Sequence, residues 1–296
     1  MLQKVQEHIE RFVEDLQDTQ VARLFAAIPS GKMLRSKLIL QIAKDERAPV
    51  LAAVVEMIHA ASLLHDDVID EADLRRGKPS INAQFGNKTA IMLGDILYSK
   101  AFYELSSFEP AIARTISYAV ALLSLGELKD VELAKSFNSD EASYFDMIYK
   151  KTASLIEASA KSAAMLAGLD SERYGLYGKN LGLAFQIVDD ILDITQDEAQ
   201  LGKPAFADFR EGKTTLPYIY LYNALDSVEK ERLLGLFKRE LDKDEREWLK
   251  ERFASTGALE AAKRRARELG EEALECLDES DEKLRAIMHA LIERTY

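Results

Sequence analysis

Apolar residues recur at helical spacing through almost the whole chain, and this pattern constrains the fold more than any other feature. Period-two alternation is hard to find, and the chain of 296 residues contains only 6 Pro and 14 Gly. All six prolines lie at predicted helix ends or in loops, where the missing N–H is tolerated. The sequence therefore predicts an all-α protein. Since no linker rich in Pro, Gly or Ser interrupts it, we expect one large domain over residues 1–296.

The chain divides into a series of predicted helices separated by short breaks. Gly202, Lys203 and Pro204, with Gly212 and Lys213, are expected to bracket a loop, and Pro217 is expected to begin the next helix. The predicted helices cover residues 2–25, 34–43, 49–71, 87–107, 111–136, 140–168 and 171–198, followed by helices within 227–295 that break near Gly257 and Gly270.

Composition excludes several classes of function. A net charge of −12 argues against nucleic acid as a partner, since such binding needs a basic surface. The single Cys276 excludes an intrachain disulfide framework. No cleavable signal peptide is evident, and no uncharged run reaches the roughly 18 residues that a membrane span needs. We therefore expect a cytoplasmic protein without a transmembrane segment.

Two aspartate-rich segments repeat one pattern, the first from Asp66 to Asp70 (DDVID) and the second from Asp189 to Asp193 (DDILD). Residues four apart share one face of a helix, so the first and last aspartates of each segment project together. Carboxylates grouped beside apolar neighbours are unfavourable unless a cation lies between them. With little His or Cys nearby, these oxygen ligands indicate Mg²⁺, which commonly bridges protein carboxylates to substrate phosphates.

Basic residues accompany both segments. His59 lies on the same helical stripe as Asp66 and Asp70, and Arg75 and Arg76 follow shortly after. Guanidinium groups bind phosphate through two parallel hydrogen bonds, so a metal-bridged diphosphate fits this pattern. Alone, the first segment is more simply explained as a surface helix end with ion pairs. The other basic or polar candidates are Lys32, Arg35, Lys151 with Thr152, Lys203 and Lys213.

The second segment makes the surface explanation less attractive. Gln186 and the aspartates lie among apolar residues, so the helix is expected to be mostly buried and its carboxylates to need partners. A calcium loop is excluded, because the segment has no central Gly. Glu56 and His59 resemble one quarter of a di-iron site, but the second Glu-x-x-His is missing. His65 points off the stripe, and we expect it to be structural or to support its neighbours.

These residues, in this order, resemble the trans-isoprenyl diphosphate synthases, and the match runs from Gly31 to Pro217. The resemblance implies a single large helical bundle of the isoprenoid synthase type with a central cavity. The matching blocks are Gly31-Lys32 with Arg35, Asp66 to Gly77, Gly126-Glu127, Lys151-Thr152, Phe185 to Asp193, Gly202 to Pro204, and Gly212 to Pro217.

The resemblance also implies roles for individual residues. Asp66, Asp70 and Asp189 would hold Mg²⁺, the implied cofactor. The allylic diphosphate would be bound by Arg75, Lys151, Thr152, Gln186, Lys203 and Lys213, and isopentenyl diphosphate by Lys32, Arg35, His59 and Arg76. The catalytic set would be Asp66, Asp67, Asp70, Asp189, Asp190 and Lys151. A homodimer is implied by the resemblance alone.

The implied reaction ionises the allylic diphosphate and adds the cation to the alkene of isopentenyl diphosphate, which makes the chain one isoprene unit longer. Ala61 and Ser62 lie one turn before Asp66, where short-chain members carry a bulky aromatic residue. Their small size favours a long-chain product of the octaprenyl or heptaprenyl type, expected to serve as a quinone side chain. Alternatives are a geranylgeranyl or farnesyl diphosphate synthase, a class I terpene cyclase and a non-catalytic synthase subunit.

Several positions depart from the family pattern, including Met33-Leu34, which replace a more basic pair, and Ala207 beside Phe206. Ser36 stands where Pro is usual, and Asp130 stands where long-chain members often carry Gln. Phe206 lies in a loop where Gly is usual, which makes the path of that loop the least predictable part of the match. No departure removes a predicted metal ligand.

Overall fold

The computed structural model describes residues 1–195 and 205–294, and within them the chain is helical apart from one two-stranded hairpin. The predicted all-α class is therefore confirmed. The elements in chain order are α1 (Leu2–Glu14), α2 (Thr19–Ala26), α3 (Leu34–Ile42), α4 (Ala48–Ile69), β1 (Leu74–Arg75), β2 (Lys78–Pro79), α5 (Ile81–Phe85), α6 (Asn87–Leu105), α7 (Pro110–Leu133), α8 (Glu141–Ile148), a π-helical turn (Tyr149–Ala153), α9 (Ser154–Leu166), α10 (Ser171–Thr195), α11 (Ala207–Arg210), α12 (Leu216–Ala224), α13 (Ser227–Leu236), α14 (Lys243–Thr256), α15 (Ala258–Glu275) and α16 (Glu282–Glu293).

The chain groups into two compact units, each made of two separate stretches of sequence. Unit 1 contains residues 1–121 and 155–175, and unit 2 contains residues 122–154 and 176–296. The expectation of one domain stays a prediction.

In unit 1, α4 is the central helix, and α1, α3 and α6 pack against it. Residues 51–55 of α4 are buried on every side, which explains why its sequence is apolar all round rather than striped. The short hairpin β1–β2 follows α4, pairing Arg75 with Lys78. This arrangement carries the first aspartate segment at the far end of a rigid core helix.

In unit 2, α12 packs against α15, and α15 packs against α16. An aromatic cluster fills this core, with the rings of Phe209 and Tyr218 stacked at 4.3 Å between centroids and Phe253 packed edge-on against Tyr218. Offset and edge-on ring pairs are favourable beyond the area that they bury. The cluster includes Ile194, one residue after the second aspartate segment, so it anchors the end of α10.

Several predicted helix boundaries were wrong, among them the single helix over 140–168, which the π-helical turn divides, and the tail, which also breaks after Leu236 and after Glu275. Residues 2–25 form two helices rather than one, because the Asp18 carboxylate accepts hydrogen bonds from the backbone N–H groups of Gln20 and Val21 and so begins α2. Gly270 lies inside α15 and does not break it. A side chain there would lie 2.4 Å from Ile292, so glycine is explained by close packing against α16. The break at Gly257, with its positive φ, is confirmed.

Two helices, Ala48–Ile69 and Pro110–Leu133, are long and apolar enough to cross a membrane by length and composition. The sequence, by contrast, predicts no transmembrane segment. This is weak evidence of a span, since core helices of soluble proteins pass the same test, and most of the apolar window of α4 is buried inside the protein.

Candidate functional site

The first aspartate segment lies at the C-terminal end of α4. Asp70 is the residue that follows the helix, and its backbone N–H still bonds to the carbonyl of Asp66. Asp70 is exposed and Asp66 is half-buried, whereas Asp67 between them is only 4% exposed. The outer two carboxylates are therefore accessible to a ligand, while the middle one belongs to the interior.

Arg75 on β1 holds the buried carboxylate of Asp67. Its Nε lies 2.7 Å from Asp67 Oδ1, and its Nη2 donates to the same oxygen. Burial raises the pKa of Asp67, and the hydrogen bonds from Arg75 offset only part of that rise. Asn82 reinforces the turn by donating to the carbonyl oxygens of Asp67 and Ala72. The hairpin thus folds back onto α4 and fixes Arg75 beside the segment.

Three of the residues predicted to bind isopentenyl diphosphate lie together in unit 1. Burial and the positive charges of Arg35, Arg76 and Arg75 hold the pKa of His59 well below its ordinary value, so its imidazole is neutral at pH 7. The buried Nε of Arg35 has no hydrogen-bond partner within residues 1–195 and 205–294. Lys32, the fourth predicted residue, is exposed in the preceding loop. The cluster offers donors and positive charge that an anion would satisfy.

Arg76 approaches this cluster from the hairpin. It has a left-handed backbone, with φ of 53°, and its Nη1 donates to the carbonyl oxygen of Pro29 at 2.8 Å. Gly31 leaves room for the guanidinium, because a Cβ there would lie 2.8 Å from two of its nitrogens. The glycine of the Gly-Lys-x-x-Arg block is therefore explained by close approach of an arginine rather than by a turn.

Glu56 caps α3 from the neighbouring helix α4. Met33, at the start of α3, provides no side-chain cap, and instead Glu56 Oε1 accepts hydrogen bonds from the Ser36 N–H at 3.2 Å and the Ser36 hydroxyl at 2.8 Å. A proline at position 36, usual in the family, would offer neither donor. Glu56 also raises the pKa of Arg35 against the larger lowering effect of burial.

His65 lies one residue before the first segment and contacts α6. Its Nε2 lies 3.1 Å from the carbonyl oxygen of Ile91 and 3.4 Å from Asp95 Oδ1, both on α6. Gly94 has no side chain here because a Cβ would lie 2.3 Å from the imidazole. Burial, Asp66 and Asp95 raise the pKa of the neighbouring Tyr98.

The predicted chain-length residues lie one turn before Asp66. Ala61 is fully buried, whereas Ser62 is half-buried and donates its hydroxyl to the carbonyl oxygen of His59 at 2.9 Å. Both side chains are small, and Met57 and Ile58 one turn further back are fully buried.

The second aspartate segment lies in the last two turns of α10, which ends at Thr195. Asp189 is half-buried, and its carboxylate lies 3.4 Å from Arg294 Nη1. Asp190 is only 3% exposed and accepts a hydrogen bond from the Tyr144 hydroxyl at 2.5 Å and another from Gln186 Nε2 at 2.9 Å. Burial and the charge of Asp208 raise the pKa of Asp190 well above its ordinary value. As in the first segment, the middle aspartate is internal.

Lys151 and Thr152 belong to a single π-helical turn, a feature that is frequent at functional sites. Lys151 Nζ lies 2.5 Å from Asp130 Oδ2 and 2.8 Å from Glu127 Oε2. Burial alone would lower the pKa of Lys151, but Asp130 and Glu127 raise it above its ordinary value. Gly126 lies directly against this turn, since a Cβ there would lie 2.3 Å from the Lys151 backbone nitrogen. Thr152 donates to Gln186 Oε1 at 2.8 Å.

Phe206 accounts for the unusual loop after the second segment. Its backbone is left-handed, with φ of 62°, the conformation that a glycine adopts most easily. The ring is buried in the aromatic core, and its N–H donates to the Asp193 carbonyl oxygen at 3.0 Å. Burial of a large ring offsets the strain of the backbone.

The two lysines predicted in this loop region differ in what can be said of them. Lys213 pairs with Glu211 at 3.0 Å, and Lys203 lies outside the described residues.

Sequence reasoning missed two partners of the predicted residues. Tyr144 lies seven residues before Lys151, two helical turns away, and this spacing was the available signal. Glu56 was considered only as a metal ligand and is instead a helix cap. In the part of the chain that the structure describes, no group of three or more His, Cys, Asp or Glu residues could hold a metal ion by itself.

Comparisons of the sequence and of the structure with known proteins both find similarity to isoprenyl diphosphate synthases. The profile of the polyprenyl synthetase family matches residues 19–253. The octaprenyl diphosphate synthase of Escherichia coli is 34% identical over 91% of this chain and 86% of its own. A short chain isoprenyl diphosphate synthase of Methanocaldococcus jannaschii is 37% identical over 83% of this chain and 79% of its own. The crystal structure of octaprenyl pyrophosphate synthase from Helicobacter pylori covers 98% of both chains at 44% identity with a TM-score of 0.94.

Proposed function

Because the chain belongs to the polyprenyl synthetase family, we propose that it condenses isopentenyl diphosphate with an allylic diphosphate, head to tail and in the trans configuration, to give a long-chain polyprenyl diphosphate. The similarity to octaprenyl synthases over nearly the whole chain supports a long product. A quinone side chain is the use that we propose for it.

One observation carries the proposal. The cluster of two guanidinium groups, Arg35 and Arg76, around the neutral His59 lies in the same unit as the accessible carboxylates Asp66 and Asp70. Cations alone would fit many anions, and carboxylates alone would fit many metals. The combination suits a diphosphate chemistry in which one substrate is gripped by guanidinium groups and another through a metal.

The residues of unit 2 are assigned to the allylic diphosphate. Lys151 is charged, and its two carboxylate partners fix its position, so it can oppose the charge of a phosphate oxygen. Thr152 and Gln186 are ordered by their mutual hydrogen bond. Arg75, Lys203 and Lys213 complete the set by resemblance. These groups would stabilise the negative charge that grows on the leaving diphosphate.

Mg²⁺ is the proposed cofactor, with Asp66, Asp70 and Asp189 as its protein ligands. All three present hard oxygen donors, and none is fully buried. No described set of three such side chains could bind a metal alone, so a metal that keeps its waters and takes further ligands from a diphosphate fits best. Asp189 would exchange Arg294 for the metal, and an exposed pair of this kind contributes little stability. Bound Mg²⁺ would supply positive charge to the departing diphosphate.

The remaining chemistry belongs to the chain itself. The neutral imidazole of His59 and the guanidinium groups of Arg35 and Arg76 would hold isopentenyl diphosphate so that its alkene meets the allylic carbon. The proton lost after addition is assigned to the released diphosphate. Exclusion of water would protect the allylic cation from being quenched.

Ala61 and Ser62 are proposed to determine product length. Both are small, so neither blocks a chain that grows past them. Replacing Ala61 by Tyr should shorten the product, and an Ala60→Tyr variant, one position along the helix, serves as the control. Equal product lengths in the wild type and the Ala61→Tyr variant would place the length limit elsewhere.

Incubation with isopentenyl diphosphate, each allylic primer and Mg²⁺, followed by mass analysis of the products, tests the whole proposal. We expect products of about seven to eight isoprene units, and no product when a chelator removes the metal. Absence of any prenyl product would contradict the proposed function. Cyclic hydrocarbons would instead indicate a terpene cyclase.

A geranylgeranyl or farnesyl diphosphate synthase is the second candidate, because a short chain synthase is among the similar proteins. The same product analysis decides, since a short-chain enzyme would accumulate products of three or four isoprene units.

A homodimer and a cytoplasmic location complete the proposal. Leu125, Leu128 and Val131 of α7 lie three residues apart and are 51%, 67% and 44% exposed. Such a run of exposed apolar side chains on one helix suits a protein interface. Light scattering should give twice the mass of the chain, and Leu128→Glu should lower it.

A further inference from the structure

A chain of side-chain hydrogen bonds in unit 2 joins a tyrosine that the proposed mechanism does not use to two residues that it does. The Tyr144 hydroxyl on α8 donates to Asp190 Oδ2 at 2.5 Å. Gln186 Nε2 donates to the other oxygen, Asp190 Oδ1, at 2.9 Å. Thr152 Oγ1 donates to Gln186 Oε1 at 2.8 Å. Tyr144 is 1% exposed and Asp190 is 3% exposed, so water does not compete for the bond between them.

The direction of every bond in this chain follows from Asp190. Asp190 Oδ1 accepts its hydrogen bond from Gln186 Nε2, so the Gln186 amide turns its NH₂ group toward Asp190. Its oxygen then faces Thr152, and the Thr152 hydroxyl proton is directed at Gln186. One N–H of Gln186 bonds to Asp190, and the second is left to donate to another acceptor. A diphosphate presents only acceptors, so this orientation of the amide suits it.

We propose that Tyr144 is a positioning residue for the allylic diphosphate, acting through Asp190 to orient the side-chain amide of Gln186. The inference rests on the proposed function, which assigns Gln186 and Thr152 to that substrate. Tyr144 occupies one oxygen of Asp190 and so leaves the other to Gln186 alone. Without the hydroxyl, the carboxylate can rotate, and both Gln186 and Thr152 lose their fixed orientation.

A second buried tyrosine provides the matched control. Tyr177, also in unit 2, is fully buried and donates its hydroxyl to the Leu284 carbonyl oxygen at 2.9 Å. Replacement by Phe removes one buried hydroxyl in each case. The bond of Tyr177 ends at a backbone carbonyl, whereas the bond of Tyr144 continues to predicted substrate-binding residues.

The test compares Tyr144→Phe with Tyr177→Phe by steady-state kinetics and thermal unfolding. We expect Tyr144→Phe to raise KM for the allylic primer about tenfold, the effect of losing one hydrogen bond to a charged group. KM for isopentenyl diphosphate should stay within about twofold. Both variants should lower the melting temperature by a similar amount, because each loses one buried hydroxyl. Tyr177→Phe should leave both KM values unchanged. An equal KM effect in the two variants would overturn the proposal.

A double-mutant cycle separates action through Gln186 from general loosening of the protein. Gln186→Ala alone should raise the allylic KM, and adding Tyr144→Phe should produce no further rise. Additive effects would contradict the proposal. If Tyr144→Phe does not fold, Asp190→Asn provides the second variant. An asparagine can turn its NH₂ group toward Gln186, which would reverse the amide and raise the allylic KM in the same way.

A binding measurement distinguishes failure of this inference from failure of the proposed function. Calorimetric titration with inorganic diphosphate in the presence of Mg²⁺ requires no turnover. A wild-type protein that forms no prenyl product, yet binds diphosphate about tenfold more tightly than Tyr144→Phe, would overturn the function and support the positioning role. Equal affinities would overturn the positioning role even in an active enzyme.

Discussion

The two aspartate segments share a sequence pattern but are built differently. Both lie at the C-terminal end of a long helix, but the first is completed by the β1–β2 hairpin, whereas the second is completed by α11, where the Asp208 N–H donates to Asp193 Oδ2 at 3.2 Å. In both, the middle aspartate is buried and the first is half-buried. The buried Asp67 is held by a guanidinium, and the buried Asp190 by a phenol and an amide. In both segments the first aspartate is partly accessible and the second is internal, whereas the last one is exposed in the first segment (Asp70) and buried in the second (Asp193).

The neighbours also give the two regions opposite electrostatic character. Arg35, Arg75 and Arg76 lower the pKa of His59, so positive charge dominates around His59, two helical turns before the first segment. Asp208 adds to the rise in the pKa of Asp190, so negative charge dominates around the second. A region of positive charge can bind an anion directly. A region of negative charge needs a cation, either Lys151 or a metal, before it can do so.

Removal of the accessible carboxylates should have the largest effect. Asp66→Ala and Asp189→Ala are each expected to lower Mg²⁺-dependent condensation by about 10³-fold, comparable to the loss of a group that stabilises transition-state charge. Both side chains are half-buried, so the melting temperature should change little. Product formation over a range of Mg²⁺ concentrations checks this.

The exposed Asp73 lies three residues beyond the first segment, and Asp73→Ala is the control. Its activity should match that of the wild type. Near-normal turnover in either Asp66→Ala or Asp189→Ala would break the proposed equivalence of the two segments.

Replacing an arginine by lysine in one region and a lysine by arginine in the other tests whether each region needs the geometry of its own cation. Arg75→Lys removes the two-nitrogen contact with Asp67, and Lys151→Arg forces a planar group between Asp130 and Glu127. We expect each to lower kcat/KM by about 10- to 100-fold through misplacement of the substrate. The effect should be larger for Lys151→Arg, which is enclosed by two carboxylates.

Lys150 is the matched control for this exchange. It belongs to the same π-helical turn and pairs with Asp146 at 2.8 Å. Lys150→Arg should keep wild-type kinetics. If neither exchange changed kcat/KM, a positive charge would be sufficient in both regions. The geometry of the cation would then not matter for function.

The sequence predicted the accessible residues better than the supporting ones. The i, i+4 spacing of Asp66 and Asp70 is a local property of a helix, so it could be predicted without tertiary information. The partners of Asp190 could not, because Tyr144 is brought to α10 by packing of α8. Glu56 was misinterpreted for the same reason, since a cap donated by another helix leaves no mark in the sequence around α3. Gly270 was taken as a helix break because close packing and chain reversal both favour glycine.

Two glycines support the two regions and should differ in their tolerance of a side chain. A Cβ at Gly126 would lie 2.3 Å from the Lys151 backbone nitrogen, and a Cβ at Gly94 would lie 2.3 Å from the His65 imidazole. A side chain can rotate away, but the backbone of a helical turn cannot. We expect Gly126→Ala to lower the free energy of unfolding by about 3 kcal/mol and Gly94→Ala to lower it by about 1 kcal/mol. These values are the two ends of the range for overpacked cores.

Urea unfolding of the two alanine variants measures this difference. Gly235 has open space around it in the structure, so Gly235→Ala is the control and should not destabilise the protein. An equal loss of unfolding free energy in Gly94→Ala and Gly126→Ala would mean that the backbone of the π-helical turn moves aside as easily as the His65 side chain.

The smallest expected effect is the pH dependence that His59 gives to the free energy of unfolding. Its pKa is well below 6.5 in the folded protein, because of burial and the nearby Arg35, Arg76 and Arg75. Below pH 6.5 the unfolded chain therefore takes up a proton that the folded protein does not, and stability falls on acidification by up to about 1.4 kcal/mol per pH unit. His59→Gln should lose less stability than the wild type between pH 8 and pH 5.5, whereas a variant at the exposed His289 should follow the wild type. Parallel curves for the wild type and His59→Gln would show that burial and the guanidinium groups together do not lower the pKa of His59, and the electrostatic contrast between the two regions would then rest on Asp190 alone.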